Sequence, residues 1–270
     1  MTKKLTWDPK VANVYRKMLP PGPPSKSELK IYERYIKEVK RKRDPKILIL
    51  GSTAGTRDLC SKYKLAYTSV DYHEVNFRIM GTVLKYKDTG RLIVADWQKM
   101  NLNEKFDLIL GDIAFHMMPF KDLDKVLVRL KKILKKDGVI VHRSWMRKKG
   151  HFKDLAKFLK NEYPKLRKKK IPSFTILVLP FLMYYYDEKK DQVLFAQNLK
   201  DFKKFVDRGL LPKKDYDNFD YFLNAYFLPM TYPLKPRFEA KLKKYFKINK
   251  ILKGADWYRD YALMYVLGQK

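Results

Sequence analysis

The segment Ile47-Leu48-Ile49-Leu50-Gly51-Ser52-Thr53-Ala54-Gly55 constrains the fold more than any other stretch of the chain. Four consecutive isoleucines and leucines with no polar residue among them read as a strand buried on both faces, which means a parallel strand covered by helices. The strand runs into a turn with two glycines, residues that let a backbone take positive φ or come close to a ligand. Tyr67-Thr68-Ser69-Val70 reads as a second strand and ends on Asp71, twenty residues past Gly51. In nucleotide-binding α/β sheets a carboxylate at that place accepts both hydroxyls of a ribose. The chain therefore reads as a nucleoside binder.

The spacing narrows the ligand. A dinucleotide site needs glycines two and five places after the first, so that backbone amides can cradle a pyrophosphate. Those places hold Thr53 and Thr56. A ligand without phosphates fits better, and S-adenosylmethionine is the common one. Two more strand ends follow: Leu92-Ile93-Val94-Ala95 leads into Asp96-Trp97, and Phe106 to Gly111 leads into Asp112. Val126, Leu127, Leu130, Ile133 and Leu134 share one helical face. Asp137-Gly138 is expected to stop that helix, and Val139-Ile140-Val141-His142 to form a fifth strand. Ligands of open parallel sheets lie beyond the carboxyl ends of the strands, where Asp71, Asp96 and Asp112 all fall.

Residues of about 19–145 resemble a class I S-adenosylmethionine-dependent methyltransferase. More narrowly they resemble the branch whose first motif reads LG-x-T-x-x-x-R-D-L, matched by Leu50 to Leu59. Pro20-Pro21-Gly22-Pro23-Pro24-Ser25, a helix carrying Tyr32, Asp96-Trp97 and the Gly111-Asp112 turn with Pro119-Phe120 carry the same resemblance. It implies a Rossmann-like α/β fold, with a seven-stranded, mostly parallel sheet and an antiparallel terminal hairpin. It also implies an approach of Gly51, Thr53 and Gly55 to the methionine part of the cofactor, of Asp71 to the ribose and of Asp96 and Trp97 to the adenine, with Ser52, Tyr72 and Asp112 as further cofactor-binding candidates. The chain departs from the wider class in having Ile49 for the usual acid of the first motif and Thr53 for its middle glycine.

At 270 residues the chain can bury a real core. One cysteine, Cys60, forbids an intrachain disulfide and fits a reducing compartment. Cys60 is expected to pack as a small apolar residue. No signal peptide is expected, and the longest largely apolar run, Phe174 to Tyr186, has 13 residues and contains Pro180. That is short of the roughly 20 needed to span a bilayer, so a soluble, cytoplasmic protein is expected. No Cys/His grouping has metal-ligand spacing.

The formal net charge is +31, from 60 lysines and arginines against 29 acids. Residues 143–170 carry 12 basic side chains against Asp154 and Glu162, residues 235–253 carry eight against Glu239, and Lys37 to Lys46 carries six against two. A basic surface with aromatic residues nearby is the footprint of nucleic-acid binding. Small anions and acidic proteins are attracted by the same field.

Three regions are expected: 1–145 as the cofactor-binding core with N-terminal helices, 146–245 as a helical substrate or lid insertion, and 246–270 as terminal strands. His151 to Tyr163 reads as an amphipathic helix, and Asn198 as the cap of a helix through Val206. Tyr216, Phe219, Tyr221, Phe222, Tyr226 and Phe227 read as core or as a wall over the acceptor pocket. Phe246 to Leu252 and Tyr261 to Leu267 resemble the hairpin that closes the sheet.

Methyl transfer from a sulfonium needs alignment more than acid-base power. A base matters only when the acceptor must lose a proton. Asp112, as an acceptor for an amine, and His116, as a base, are the catalytic candidates, although Asp112-Ile113-Ala114-Phe115 only faintly echoes the amino-methyltransferase turn. His142 reads as a core residue and His73 as flanking the adenosine site. The resulting expectation is a methyltransferase acting on RNA or another anionic substrate. The alternatives are a small-molecule methyltransferase and a catalytically silent fold that binds nucleic acid or a protein.

Overall fold

The computed structural model of the chain describes residues 10–223 and 229–270. Its strands are β1 (Ile47–Leu50), β2 (Tyr67–Asp71), β3 (Gly90–Val94), β4 (Phe106–Asp112), β5 (Leu134–Trp145), β6 (Phe246–Lys253) and β7 (Ala262–Gln269). They form one sheet in the order β3-β2-β1-β4-β5-β7-β6. The first five are parallel to one another, and β7 runs antiparallel between β5 and β6. This is the Rossmann-like sheet and terminal hairpin that the sequence predicts. Helices α1 (Lys10–Lys17), α2 (Lys26–Lys40), α3 (Ala54–Lys62), α4 (Glu74–Gly81) and α5 (Leu123–Ile133) precede β5. Between β5 and β6 come α6 (Leu155–Asn161), α7 (Tyr163–Lys168), α8 (Ser173–Tyr184), α9 (Phe195–Phe202), α10 (Lys204–Asp207), α11 (Lys213–Leu223) and α12 (Lys235–Tyr245).

Alternation along β1 explains its unbroken apolar run. Leu48 and Leu50 enter the core beside Val126 and Leu130 of α5 and Phe238 of α12. Ile47 and Ile49 enter the opposite core, beside Tyr32 and Ile36 of α2 and Cys60 of α3. A strand covered on both faces has no polar side to show. Cys60 is a buried packing residue there, and burial pushes its thiol far above the ordinary range, away from reactivity. A third core gathers Phe174 and Phe181 of α8 with Phe202 and Phe219, and Trp145 and Tyr258 pack onto it from the sheet side. No helix of the described residues is long and apolar enough to cross a membrane.

The structure shifts several local expectations. α5 ends at Ile133, before Asp137-Gly138, because Leu134 already pairs with Phe106 of β4. β5 then carries Asp137-Gly138 through a register shift before Val139 meets Leu108. Strand pairing here overrides the glycine stop signal. The helix expected over His151 to Tyr163 begins only at Leu155, where the Asp154 carboxylate accepts the Lys157 amide at 2.9 Å. It breaks at Glu162, before Pro164 opens α7. Asn198 lies inside α9 and donates to the Leu194 carbonyl at 2.8 Å, so it caps nothing. The aromatic segment divides by face: Phe219 and Phe222 are buried and Tyr221 is exposed. Tyr226 and Phe227 lie outside the described residues.

Candidate functional site

Four adjacent strands, β3-β2-β1-β4, deliver their carboxyl ends to one edge of the sheet. The strand order reverses between β1 and β4, the place where open α/β sheets bind ligands. Gly51, just past β1, has φ +88°, and a Cβ built there would stand 3.4 Å from the Trp97 ring and 3.9 Å from Asp71 Oδ2. Only glycine holds that conformation without strain, so the turn brings bare backbone between the indole and the carboxylate. Ser52 Oγ donates to Asp71 Oδ2 at 2.6 Å, while the His73 amide and Asn76 Nδ2 each donate to Oδ1 at 3.2 Å. The Trp97 indole donates to the Val70 carbonyl at 2.7 Å, which fixes the ring across the Gly51 turn. Asp96 accepts the Gln98 amide at 2.9 Å, and Tyr72 is exposed at the rim with its ring edge-on to His73. Thr53 starts α3 without using its side chain as a cap.

Other motif residues do different work. A Cβ on Gly55 would meet Leu29 at 3.2 Å and Pro24 at 3.8 Å, so the absence of a side chain there lets the N-terminal segment close on α3. Its backbone amide lies in the first turn of α3. Arg57 is fully buried and donates to Tyr67 Oη, the Phe77 carbonyl and Asp88, with its guanidinium 3.7 Å from the Phe77 ring centre. Asp58 accepts the amides of Lys85 and Tyr86. The Arg-Asp pair of the first motif therefore stitches the loop between α4 and β3.

At the end of β4, Asp112 Oδ1 accepts from Arg143 Nε at 2.5 Å. The fully buried Arg143 guanidinium also donates to Glu28 Oε2 at 3.2 Å and to the carbonyls of Pro21 and Gly22 at 2.9 and 2.7 Å. Burial works against its charge, but Asp112 and Glu28 outweigh burial and hold the guanidinium protonated. Glu28 is doubly used, because Oε2 also accepts the Ser25 amide at 2.7 Å while Ser25 Oγ caps Glu28. The Tyr32 hydroxyl donates to the Gly111 carbonyl at 2.6 Å. The proline-rich segment is thereby clamped over the ends of β4 and β5. Arg143, counted from the sequence with the basic surface, belongs to the interior. So does Arg147, which is buried and paired with Glu188.

Residues 50–142 match the family profile described as a methyltransferase domain. That stretch of the chain is a methyltransferase domain. The whole chain is similar in fold to PH0226 protein from Pyrococcus horikoshii OT3 (16% identity, 95% of this chain and 98% of that one, TM-score 0.53). It is similar to an S-adenosylmethionine-dependent methyltransferase from Clostridium acetobutylicum ATCC 824 (14% identity, 96% and 98%, TM-score 0.54). It is also similar to a structure described as a Zn-dependent alcohol dehydrogenase from Rhodobacter sphaeroides (14% identity, 100% of both chains, TM-score 0.58). At these identities the likeness is one of fold. No match was found among curated protein sequences. Among the described residues no group of three or more His, Cys, Asp or Glu side chains could hold a metal ion.

The methyltransferase domain does not present His116 to a substrate. The ring is fully buried: Nδ1–H donates to the Thr231 carbonyl at 2.7 Å, and Nε2 accepts the Trp145 amide at 3.0 Å. With both nitrogens committed, His116 is a clip between the loop after β4 and the segment before α12, which corrects the base expected from sequence. Phe115, the aromatic of the faint amino-methyltransferase echo, is buried and stacked on His142 at 3.7 Å. His142 is itself fully buried, as expected, between the Phe115 amide and Ser144 Oγ. The loop also holds a feature that no local signal announces. Ile113 has φ 49°, a left-handed conformation costly for a β-branched residue and typical of functional turns.

These two histidines make the fold acid-sensitive. Burial drives the His116 pKa down to about 4, and burial with His116 and Arg143 nearby drives His142 well below its ordinary value. Between the unfolded value near 6.5 and about 4, the unfolded chain binds protons that the folded chain refuses, so stability falls as pH falls. His116 alone accounts for up to roughly 3 kcal/mol across that window. Urea unfolding at pH 7, 5.5 and 4.5 should show a midpoint that drops steadily. A midpoint unchanged over that range would contradict the buried neutral assignment.

Proposed function

We propose that the domain transfers the methyl group of S-adenosylmethionine to an anionic acceptor, with RNA as the favoured class. The observation carrying the choice of acceptor is the surplus of exposed cations without an acidic partner. Lys149, Lys153, Lys157, Lys160, Lys168, Lys169 and Lys170 are exposed and have no ion pair among the described residues. In the second basic run, by contrast, Lys241, Lys235, Arg237 and Lys253 are paired with Asp124, Glu239, Asp191 and Asp260. Exposed unpaired lysines give sequence-independent attraction to phosphates.

In this reading Asp71 takes the ribose, with the Ser52 hydroxyl rotating away to free one acceptor position, and Asp96 and Trp97 border the adenine. Gly51 lets the ligand lie on bare backbone. The start of α3, left open by Thr53, offers amides to the carboxylate at the cofactor's amino-acid end. The cofactor supplies an electrophilic methyl on sulfur. Asp112 keeps its second oxygen to accept from an amine or from the cofactor, and Ile113 fixes the direction of the loop. With His116 enclosed, rate comes from alignment of acceptor and methyl. Residues 146–245 are read as the substrate element over the 1–145 core, with 246–270 completing the sheet. The test is transfer of tritiated methyl groups into fractionated RNA and small-molecule pools. Label should enter RNA. Label confined to small molecules would favour the small-molecule reading, and no label with intact cofactor binding would favour a silent fold.

A further inference from the structure

A groove of about 570 Å³ opens between the loop after β4 and the hairpin that precedes α9. Met117, Met118, Pro119 and Phe120 form an apolar floor, and four cations, Lys121, Lys189, Lys190 and Arg237, rim it against the single carboxylate of Asp191. The cations are held by different means. Arg237 lies over the Phe120 ring at 4.5 Å and pairs with Asp191 at 3.0 Å. Lys190 is 3.8 Å from Asp187, a marginal pair, and Lys121 and Lys189 have no acidic partner among the described residues.

The groove is built on fixed supports. His116 ties its floor to Thr231, whose hydroxyl donates to the Met118 carbonyl at 3.2 Å. Arg147 grips Glu188 with two donors and the Tyr232 carbonyl with a third, and stacks 3.8 Å from the Tyr186 ring centre. Tyr186 donates to Asp191, closing the hairpin that carries Lys189 and Lys190. Lysines and an arginine held around an apolar trough attract phosphate oxygens and leave the trough for a flat or apolar group.

We infer that this groove docks a phosphate group of the methyl acceptor, five residues and more along the loop from Asp112. The inference rests on the methyl-transfer reading above. Its test is fluorescence and calorimetric titration with inorganic pyrophosphate and with a single-stranded RNA decamer. Both titrations are run with the cofactor site filled by S-adenosylhomocysteine. Replacing Lys121, Lys189 and Lys190 together with alanine should weaken the bound probe at least tenfold while S-adenosylhomocysteine affinity stays the same. Asp191→Asn, which removes the groove's carboxylate, should tighten it, a gain that misfolding does not produce. A decamer far tighter than pyrophosphate identifies a polynucleotide, and comparable binding identifies a small phosphorylated acceptor. Binding of neither probe at low salt, or affinities unchanged in the triple variant, overturns the groove. Failure of S-adenosylhomocysteine to bind overturns the methyltransferase reading instead.

Discussion

Arg143→Ala should cost about 3–5 kcal/mol of folding stability, the scale for removing one partner of a buried ion pair. The substitution leaves Asp112 and Glu28 enclosed and without their shared cation, and it strips the donors from the carbonyls of Pro21 and Gly22. A loss of that size is a large part of a typical domain's margin. The N-terminal segment should open first, because its hold on the ends of β4 and β5 runs through this guanidinium. Arg143→Lys keeps the charge but not the fork that serves Asp112, Glu28 and the carbonyls of Pro21, Gly22 and Pro23, so it should recover only part of the loss. Chemical unfolding reads the stability, and protease cleavage between α1 and α2 reads the opening. A variant as stable as the wild type would mean that Arg143 is dispensable to the clamp.

Asp71→Ala should weaken S-adenosylhomocysteine binding by about 1.5–3 kcal/mol, roughly 10- to 150-fold, the value of a hydrogen bond to a charged group. The carboxylate is held in place by Ser52, Asn76 and the His73 amide, so little ordering remains to be done when a ligand arrives. Asp71→Asn should fall between the two, since the amide keeps the shape and one acceptor. Both variants should unfold within a few degrees of the wild type. An affinity within twofold of the wild type would remove Asp71 from the ribose site.

The sheet was legible because its signals are local. Ile47 to Leu50 is an unbroken apolar run buried on both faces, and Tyr67 to Val70 and Phe106 to Gly111 are short buried strands whose polar members are Thr68, Ser69 and Asp107. The strand-end residues Gly51, Asp71, Trp97 and Asp112 followed from that frame. What escaped sequence reading depends on distant partners. Arg143 stands in a basic run and looks like surface, but its acids lie 31 and 115 residues away. His116 looks like a base because nothing near it in sequence announces Thr231, also 115 residues away. Asn76, which orients Asp71, gave no signal of its own. Glu28 did, since Ser25-x-x-Glu28 has capping-box spacing, and that spacing could have found it. The segments joining β5 to β6 misled most, because tertiary pairing and caps such as Asp154 set helix ends that periodicity leaves open.

The central claim is that the edge formed by Gly51, Asp71 and Trp97 holds S-adenosylmethionine and not a dinucleotide. Isothermal titration of the wild-type chain with S-adenosylhomocysteine and, separately, with NAD tests it most directly. Saturable one-to-one heat is expected with S-adenosylhomocysteine and none with NAD. Heat with NAD and none with S-adenosylhomocysteine would contradict it.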